Sequence, residues 1–152
     1  MKKLILTFTA LLALAFIVVS CSDKDDDHQV PNTELPAAAI SFLDTYFKGI
    51  TIRKTEKQTP TTTNKTAYSV ELANGIEVDF DQEGNWKEVE SDNDTAIPTG
   101  FISSTIVSYV TTNYKMAPIS AIDKVAAGFE VELTNDIDLL FDPSGQFVKI
   151  IL

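Results

Sequence analysis

Histidine, cysteine and tryptophan each occur once in this chain, and basic residues are scarce, 12 against 22 acids for a net charge of −10. Each shortage excludes a class of chemistry. A lone cysteine, Cys21, closes no intramolecular disulfide. A lone histidine, His28, set in an acidic stretch, leaves no Cys/His dyad, no hydroxyl–His–acid triad and no nitrogen–sulfur zinc site. The six glycines are scattered at turns, so no glycine-rich loop cradles a phosphate. The acidic balance provides no basic footprint for nucleic acid or for an anionic lipid surface. Paired carboxylates abound, but none sits in an evidently apolar pocket that would raise a pKa for acid catalysis. The reading is of a non-enzyme without cofactors.

What is present begins with an address. Lys2 and Lys3 precede an apolar run, Leu4 to Val19, shorter than the ~20 residues a membrane-spanning helix needs and sized for a signal peptide. It ends in VVSC, Val18 to Cys21, which resembles a bacterial lipobox, where the cysteine is acylated and becomes the mature N-terminus. Residues 1–20 are therefore expected to be a leader and 21–33 a lipidated acidic tether. The run CSDKDDD from Cys21 to Asp27 resembles the acidic export tag of some Gram-negative lineages. The expected location is the outer membrane, on its cell-surface or periplasmic face. A like-charge block without apolar residues also stays extended, so a flexible leash is expected from Asp23 to about Thr33. Loss of Lys2 and Lys3 with the leader takes the net charge from −10 to −12.

Residues 34–152 carry an internal repeat. Tyr68–Val89 aligns with Phe129–Ile150 at an offset of 61, with eight of 22 positions identical, where composition alone predicts about one or two. Upstream, Leu35-Pro36 with Ile40 matches Ile97-Pro98 with Ile102. The expected organisation is two tandem units, 34–92 and 97–152, either one compact domain or two interlocked halves.

Each unit reads as a helix followed by an antiparallel meander. Pro36 suits a first helical turn and Gly49 a C-terminal cap, with Ile40, Leu43 and Phe47 on one face. The second helix is expected from Pro98 to about Tyr114. In the hairpin, a two-residue Asn74-Gly75 turn would oppose Leu72 to Glu77. A three-residue loop, Ala73 to Gly75, pairs Val70 with Val78 and Tyr68 with Phe80 and keeps the apolar side chains together. The left-handed position falls on Gly75 and, in the second unit, on Asp136. Type I turns are expected at Asp81–Gly84 and Asp142–Gly145. The register of each last strand stays open, because Trp86 and Val89 fall on opposite faces of a regular strand. A further strand is expected at Ile50–Lys57 and Ile119–Val125. The fold class is α+β: two helix-plus-meander repeats forming one antiparallel sheet with helices packed on one face.

The pattern Leu35-Pro36, Ile40, Tyr46-Phe47, then Tyr68-x-Val70-x-Leu72, Gly75-x-Glu77, Phe80-Asp81-x-x-Gly84-x-Trp86-x-x-Val89 resembles the PepSY-like family. That resemblance implies a fold similar to the β-lactamase inhibitor protein, secreted or lipid-anchored tandem copies, and binding or restraint of a partner rather than catalysis. The chain departs from the pattern by the insertion TPTTTNKT, Thr59 to Thr66, and by Asp136 and Phe147 replacing the turn glycine and the tryptophan in the second unit.

The candidate residues follow. Asp79, Asp81, Glu83, Gly84 and Glu90 have calcium-loop spacing. Their flanks alternate with a period of two, however, so a hairpin turn is preferred, with a metal site at Asp79, Asp81 and Glu83 as the lesser alternative. Glu71, Glu77, Asp79, Glu130, Glu132 and Asp138 would share an exposed acidic face that favours a basic protein partner, with Trp86 and Phe147 as contacts if they point outward. The second hypothesis is a binder of calcium or another cationic ligand acting through that face. Asp94-Thr95-Ala96 resembles a short O-glycosylation signal at Thr95 in an exposed linker.

Overall fold

Alternation of apolar and acidic side chains drives most of the chain into strands. The computed structural model describes residues 28–63 and 65–151; the leader, Cys21 and the acidic run to Asp27 lie outside them. The described strands are β1 (His28–Gln29), β2 (Ile52–Lys57), β3 (Tyr68–Leu72), β4 (Ile76–Phe80), β5 (Trp86–Ser91), β6 (Ile119–Val125), β7 (Gly128–Leu133), β8 (Ile137–Phe141) and β9 (Phe147–Ile151). They form one antiparallel sheet in which spatial order equals chain order. Helices α1 (Ala37–Tyr46) and α2 (Ser104–Asn113) complete an α+β fold. No helix among the described residues is long and apolar enough to cross a membrane.

The hairpin registers match the expected ones. Tyr68 opposes Phe80 and Val70 opposes Val78, while Phe129, Val131 and Leu133 oppose Phe141, Leu139 and Ile137. Gly75 (φ 78°) and Asp136 (φ 60°) hold the left-handed positions.

The open question of the last strands is answered by a bulge. Asp79 pairs with Glu88 but Phe80 pairs with Trp86, so Lys87 is the extra residue. That insertion returns both Trp86 and Val89 to the apolar face, and sends Glu88 and Glu90 to the other. Val148 plays the same part between Leu140↔Lys149 and Phe141↔Phe147.

Both helices cover the apolar face. Phe42 of α1 meets Phe80 edge-on at 5.7 Å, and Tyr109 of α2 meets Phe141 at 5.5 Å. Val70, Val78, Phe80, Val89, Leu139 and Phe141 are fully buried beneath them. Complete burial of such side chains contributes about 1.5–3 kcal/mol each.

Two boundaries and one helix face differ from expectation. α2 starts at Ser104, where Ser103 Oγ accepts from Thr105 N at 3.3 Å, because a side-chain cap at Ser103 defines the first turn better than Pro98 does. Ile40 is 41% exposed; Ala39, Leu43 and Phe47 form the buried stripe instead. His28 and Gln29 pair with Lys57 and Glu56, and Thr55 donates to Asn32 Oδ1 at 2.9 Å. The segment from His28 is thus part of the sheet rather than a leash.

Turn glycines explain how sheet and helices meet. A Cβ on Gly84 (φ +86°) would lie 2.8 Å from both Ala39 N and Pro36 Cβ. On Gly145 it would lie 3.1 Å from Ser103 Oγ. Each β4–β5 or β8–β9 turn therefore sets its glycine against the first turn of a helix, and at Gly84 the approach is too close for any Cβ.

Candidate functional site: the open acidic face

The sheet face away from the helices is left uncovered, and cross-strand register aligns its acids into two rows. From β4 to β7 the first row runs Asp79, Glu88, Asp123, Glu130. From β3 to β8 the second runs Glu71, Glu77, Glu90, Ala121, Glu132, Asp138. Six pairs of carboxylates stand directly opposite each other: Glu71/Glu77, Glu77/Glu90, Asp79/Glu88, Glu88/Asp123, Asp123/Glu130 and Glu132/Asp138. Opposed side chains have Cβ atoms about 4.5–5.5 Å apart, and like charges in that position destabilise the sheet.

Cations border this field, and Lys65, Lys87 and Lys124 reach the end of its first row beside Asp79, Glu88 and Asp123. At the β2 edge Arg53 lies 2.9 Å from Glu71, and Lys54 lies 2.7 Å from Glu56. Lys149 stands opposite Leu140 on β9. Lys87, on the bulge, donates to the Lys124 carbonyl at 3.2 Å.

The β2–β3 connection, which contains the insertion, turns the first row into a depression. A cavity of about 740 Å³ is lined by Thr62, Lys65 and Thr66 of that connection together with Asp79, Glu88 and Asp123. Thr66 Oγ1 donates to Asp79 Oδ2 at 3.0 Å, and Ser69 donates to Glu77. Partial burial, and then repulsion from Asp123, Glu90 and Asp79, pushes Glu88 up to about 7. Burial likewise raises Asp79 and Glu90, with repulsion from Glu77 adding to both. The face can therefore take up protons near neutrality, or the cationic groups of a ligand.

Glu71, Glu77, Asp79, Glu130, Glu132 and Asp138 all lie on this face. Trp86 does not. It sits on the helix side, 5.3 Å from Phe101 and 6.4 Å from Phe42, with the Lys124 ammonium 3.7 Å over its ring. Phe147 also packs inward, stacked on Tyr109 at 4.6 Å. The Asp81 carboxylate is engaged by its own turn, accepting from Glu83 N at 3.1 Å and Asn85 N at 2.8 Å, while Asp79 belongs to the open face. These residues are not brought together as a loop site. Thr95 is exposed in the β5–α2 connection, its Oγ1 2.7 Å from Ser91 Oγ. Sequence reasoning missed Glu88 and Asp123 and read Glu90 only as part of a calcium-loop spacing; the alternation Glu88-Val89-Glu90 was the available signal once Val89 was placed in the core.

A family model for PepSY-like, β-lactamase-inhibitor-like proteins matches residues 66–149 in a single span across both halves. No curated protein matches the chain. Among solved structures, a protein of Bacteroides thetaiotaomicron described as calcium-regulated and periplasmic is 31% identical, with a TM-score of 0.75 over 84% of this chain and 98% of that one. A periplasmic protein of the DUF2874 family from Bacteroides vulgatus is 28% identical, with a TM-score of 0.75 over 85% of this chain and 99% of its own. A second periplasmic protein of Bacteroides vulgatus, of unknown function, is also 28% identical with a TM-score of 0.75. The match over residues 66–149, more than half of the chain, places it in the PepSY-like, β-lactamase-inhibitor-like family.

Proposed function

We propose that this protein is a non-catalytic binding module of the cell envelope, held by lipid on Cys21, whose open acidic face binds and restrains a basic secreted or envelope protein. The observation that carries this reading is the alignment of carboxylates in directly opposed pairs. Such pairs cost stability in the free protein, and a partner that sets Lys or Arg side chains between them relieves that cost on binding. Charge complementarity of this kind speeds association and selects the partner. The periplasmic description of the structural relatives supports an extracytoplasmic address. In this reading the two halves arose by tandem duplication, and the module faces the periplasm or the exterior from the outer membrane. Thr95 is the position for O-glycosylation.

The test is capture from envelope and secreted fractions, comparing the native face with one neutralised at Glu77, Glu88, Asp123 and Glu130. Loss of a basic protein on neutralisation supports the reading. Equal capture by both forms contradicts it.

A second reading takes a divalent cation as the ligand. It is favoured by the relative described as calcium-regulated.

A further inference from the structure

The two halves of the sheet end differently. In the first half β5 continues into the second, pairing with β6 through Glu88, Val89 and Glu90. At the offset of 61 the matching residues of β9 are Lys149, Ile150 and Ile151. Among the described residues β9 has a neighbouring strand on one side only. The consequence shows at the central residue. Val89 lies opposite Ile122 and is 0% exposed, whereas Ile150, opposite the buried Leu139 on the same apolar face, is 46% exposed. One further strand would complete both the core row that ends at Ile150 and the unpaired backbone edge. The bulge at Val148 does not close that edge, because the matching bulge at Lys87 leaves β5 free to pair.

The opposite end of the sheet decides which strand can supply it. Thr55 and Glu56 of β2 oppose Val70 and Ser69, as Ile122 and Asp123 of β6 oppose Val131 and Glu130. On β6 the outer edge at these positions is taken by β5. On β2 it is taken by β1, with Gln29 opposite Glu56 and Val30 N donating to the Thr55 carbonyl at 2.9 Å. Head-to-tail addition of β9 to the β2 of another copy is therefore blocked. Two β9 strands can meet instead, in an arrangement that closes on itself. Antiparallel pairing about Ile150 sets the two Ile150 side chains together on the helix side and Lys149 opposite Ile151 on the other. No like charges are then opposed, whereas pairing about Lys149 would oppose two ammonium groups. The charges also fit. Ile151 stands opposite Asp138 of β8, so Lys149 of the second copy lies two strand spacings, about 10 Å, from Asp138 on the same face. Its long side chain can cross Ile151 to reach that carboxylate. Within one chain Lys149 forms no salt bridge among the described residues.

We infer that β9 is the contact of a two-fold dimer, in which two copies join edge to edge, Ile150 against Ile150, into one continuous sheet. The helices lie on one side of the joined sheet and the acidic faces on the other, because apolar side chains meet apolar ones across the axis. The dimer doubles the acidic face and offers two sites in fixed relation to a ligand with two basic segments. It goes beyond the binding role proposed above and stands whether or not that role does. A single shared strand buries less than the ~1,200 Å² of a standard interface, so association is expected at micromolar concentration and above.

Light scattering over a protein concentration series tests it, on the chain from Ser22, which keeps every described element and lacks Cys21. Wild type is expected to double in mass as concentration rises. Ile150→Asp, which opposes two carboxylates across the axis, should stay monomeric. Lys149→Glu should weaken dimerisation by about tenfold. Melting curves establish that both variants are folded. Ile150→Cys should form a disulfide-linked dimer in air, and Val148→Cys, away from the axis, should not. A wild type that stays monomeric at millimolar concentration, a dimer that survives Ile150→Asp, or growth beyond a dimer overturns the inference. So does faster cross-linking of Val148→Cys than of Ile150→Cys.

Discussion

Asp79 and Glu88 stand directly opposite one another across β4 and β5, and Asp123 stands opposite Glu88 on its other side. Three carboxylates in line, partly buried, form the middle of a face that the helices leave open. The sheet holds them there because Val78, Val89 and Ile122, the alternate residues, are locked in the core at 0%, 0% and 1% exposure.

The first prediction concerns pH. Glu88 lies at about 7 in the folded protein, against an ordinary value of 4.5. The folded state therefore holds this proton more tightly than the unfolded chain does. Stability should fall as pH rises from about 4.5 to 7 and level off above that. Glu88→Gln should flatten this slope and stabilise the protein at pH 8 by about 1 kcal/mol once solvent screening is allowed for. Urea titrations at pH 5 and pH 8 check it; a Glu88→Gln protein with the wild-type slope contradicts it.

Ionic strength supplies an independent check on the same charges. Surface repulsion is screened with a Debye length near 10 Å at 0.1 M salt. The melting temperature should therefore climb between 20 and 500 mM sodium chloride, and climb less in a protein neutralised at Glu77, Glu88, Asp123 and Glu130. A salt-insensitive wild-type Tm would show that the rows are not under electrostatic strain.

Gly84 and Gly145 separate two physical costs. Alanine at Gly84 meets both a left-handed backbone and the backbone nitrogen of Ala39 at 2.8 Å, and should cost about 2–4 kcal/mol. Alanine at Gly145 meets the same backbone strain but only the end of the Ser103 side chain at 3.1 Å, and should cost about 1–2 kcal/mol. Chemical denaturation of the two variants checks the order, and equal losses would contradict it.

Phe101 connects the halves. It precedes α2 yet packs 5.1 Å from Phe42 and 5.3 Å from Trp86. Phe101→Ala should cost about 2–3 kcal/mol, less than a fully buried phenylalanine because the ring is only partly covered. The halves also share β5–β6 pairing, so unfolding should remain a single transition by fluorescence and by circular dichroism. Separate transitions in the variant would show that Phe101 alone couples them.

Much of the fold is legible in the sequence. Tyr68–Leu72 and Ile76–Phe80 announce their register because only a three-residue loop keeps the acids off the apolar face, and the offset of 61 carries that register to Phe129–Phe141. The last strands could not be read, since a bulge at Lys87 leaves no trace in a period-two pattern and decides the faces of Trp86, Glu88 and Glu90. The start of α2 was misplaced at Pro98 because Pro at a first turn and Ser103 as a cap are competing signals. Six of the nine acids of the face were visible by alternation, Glu71, Glu77 and Asp79 and then Glu130, Glu132 and Asp138. The rest, Glu88, Glu90 and Asp123, depends on pairing between distant strands, which no local pattern encodes.

The most direct test of the account is capture on the open face. Wild type and the four-fold variant Glu77→Gln, Glu88→Gln, Asp123→Asn, Glu130→Gln are immobilised through the N-terminal segment and exposed to envelope and secreted fractions at moderate salt. Melting curves first establish that both are folded. The account predicts that wild type retains a basic protein that elutes as salt is raised, and that the variant does not retain it. The same proteins on both forms, or none on either, would contradict a binding role for the acidic face.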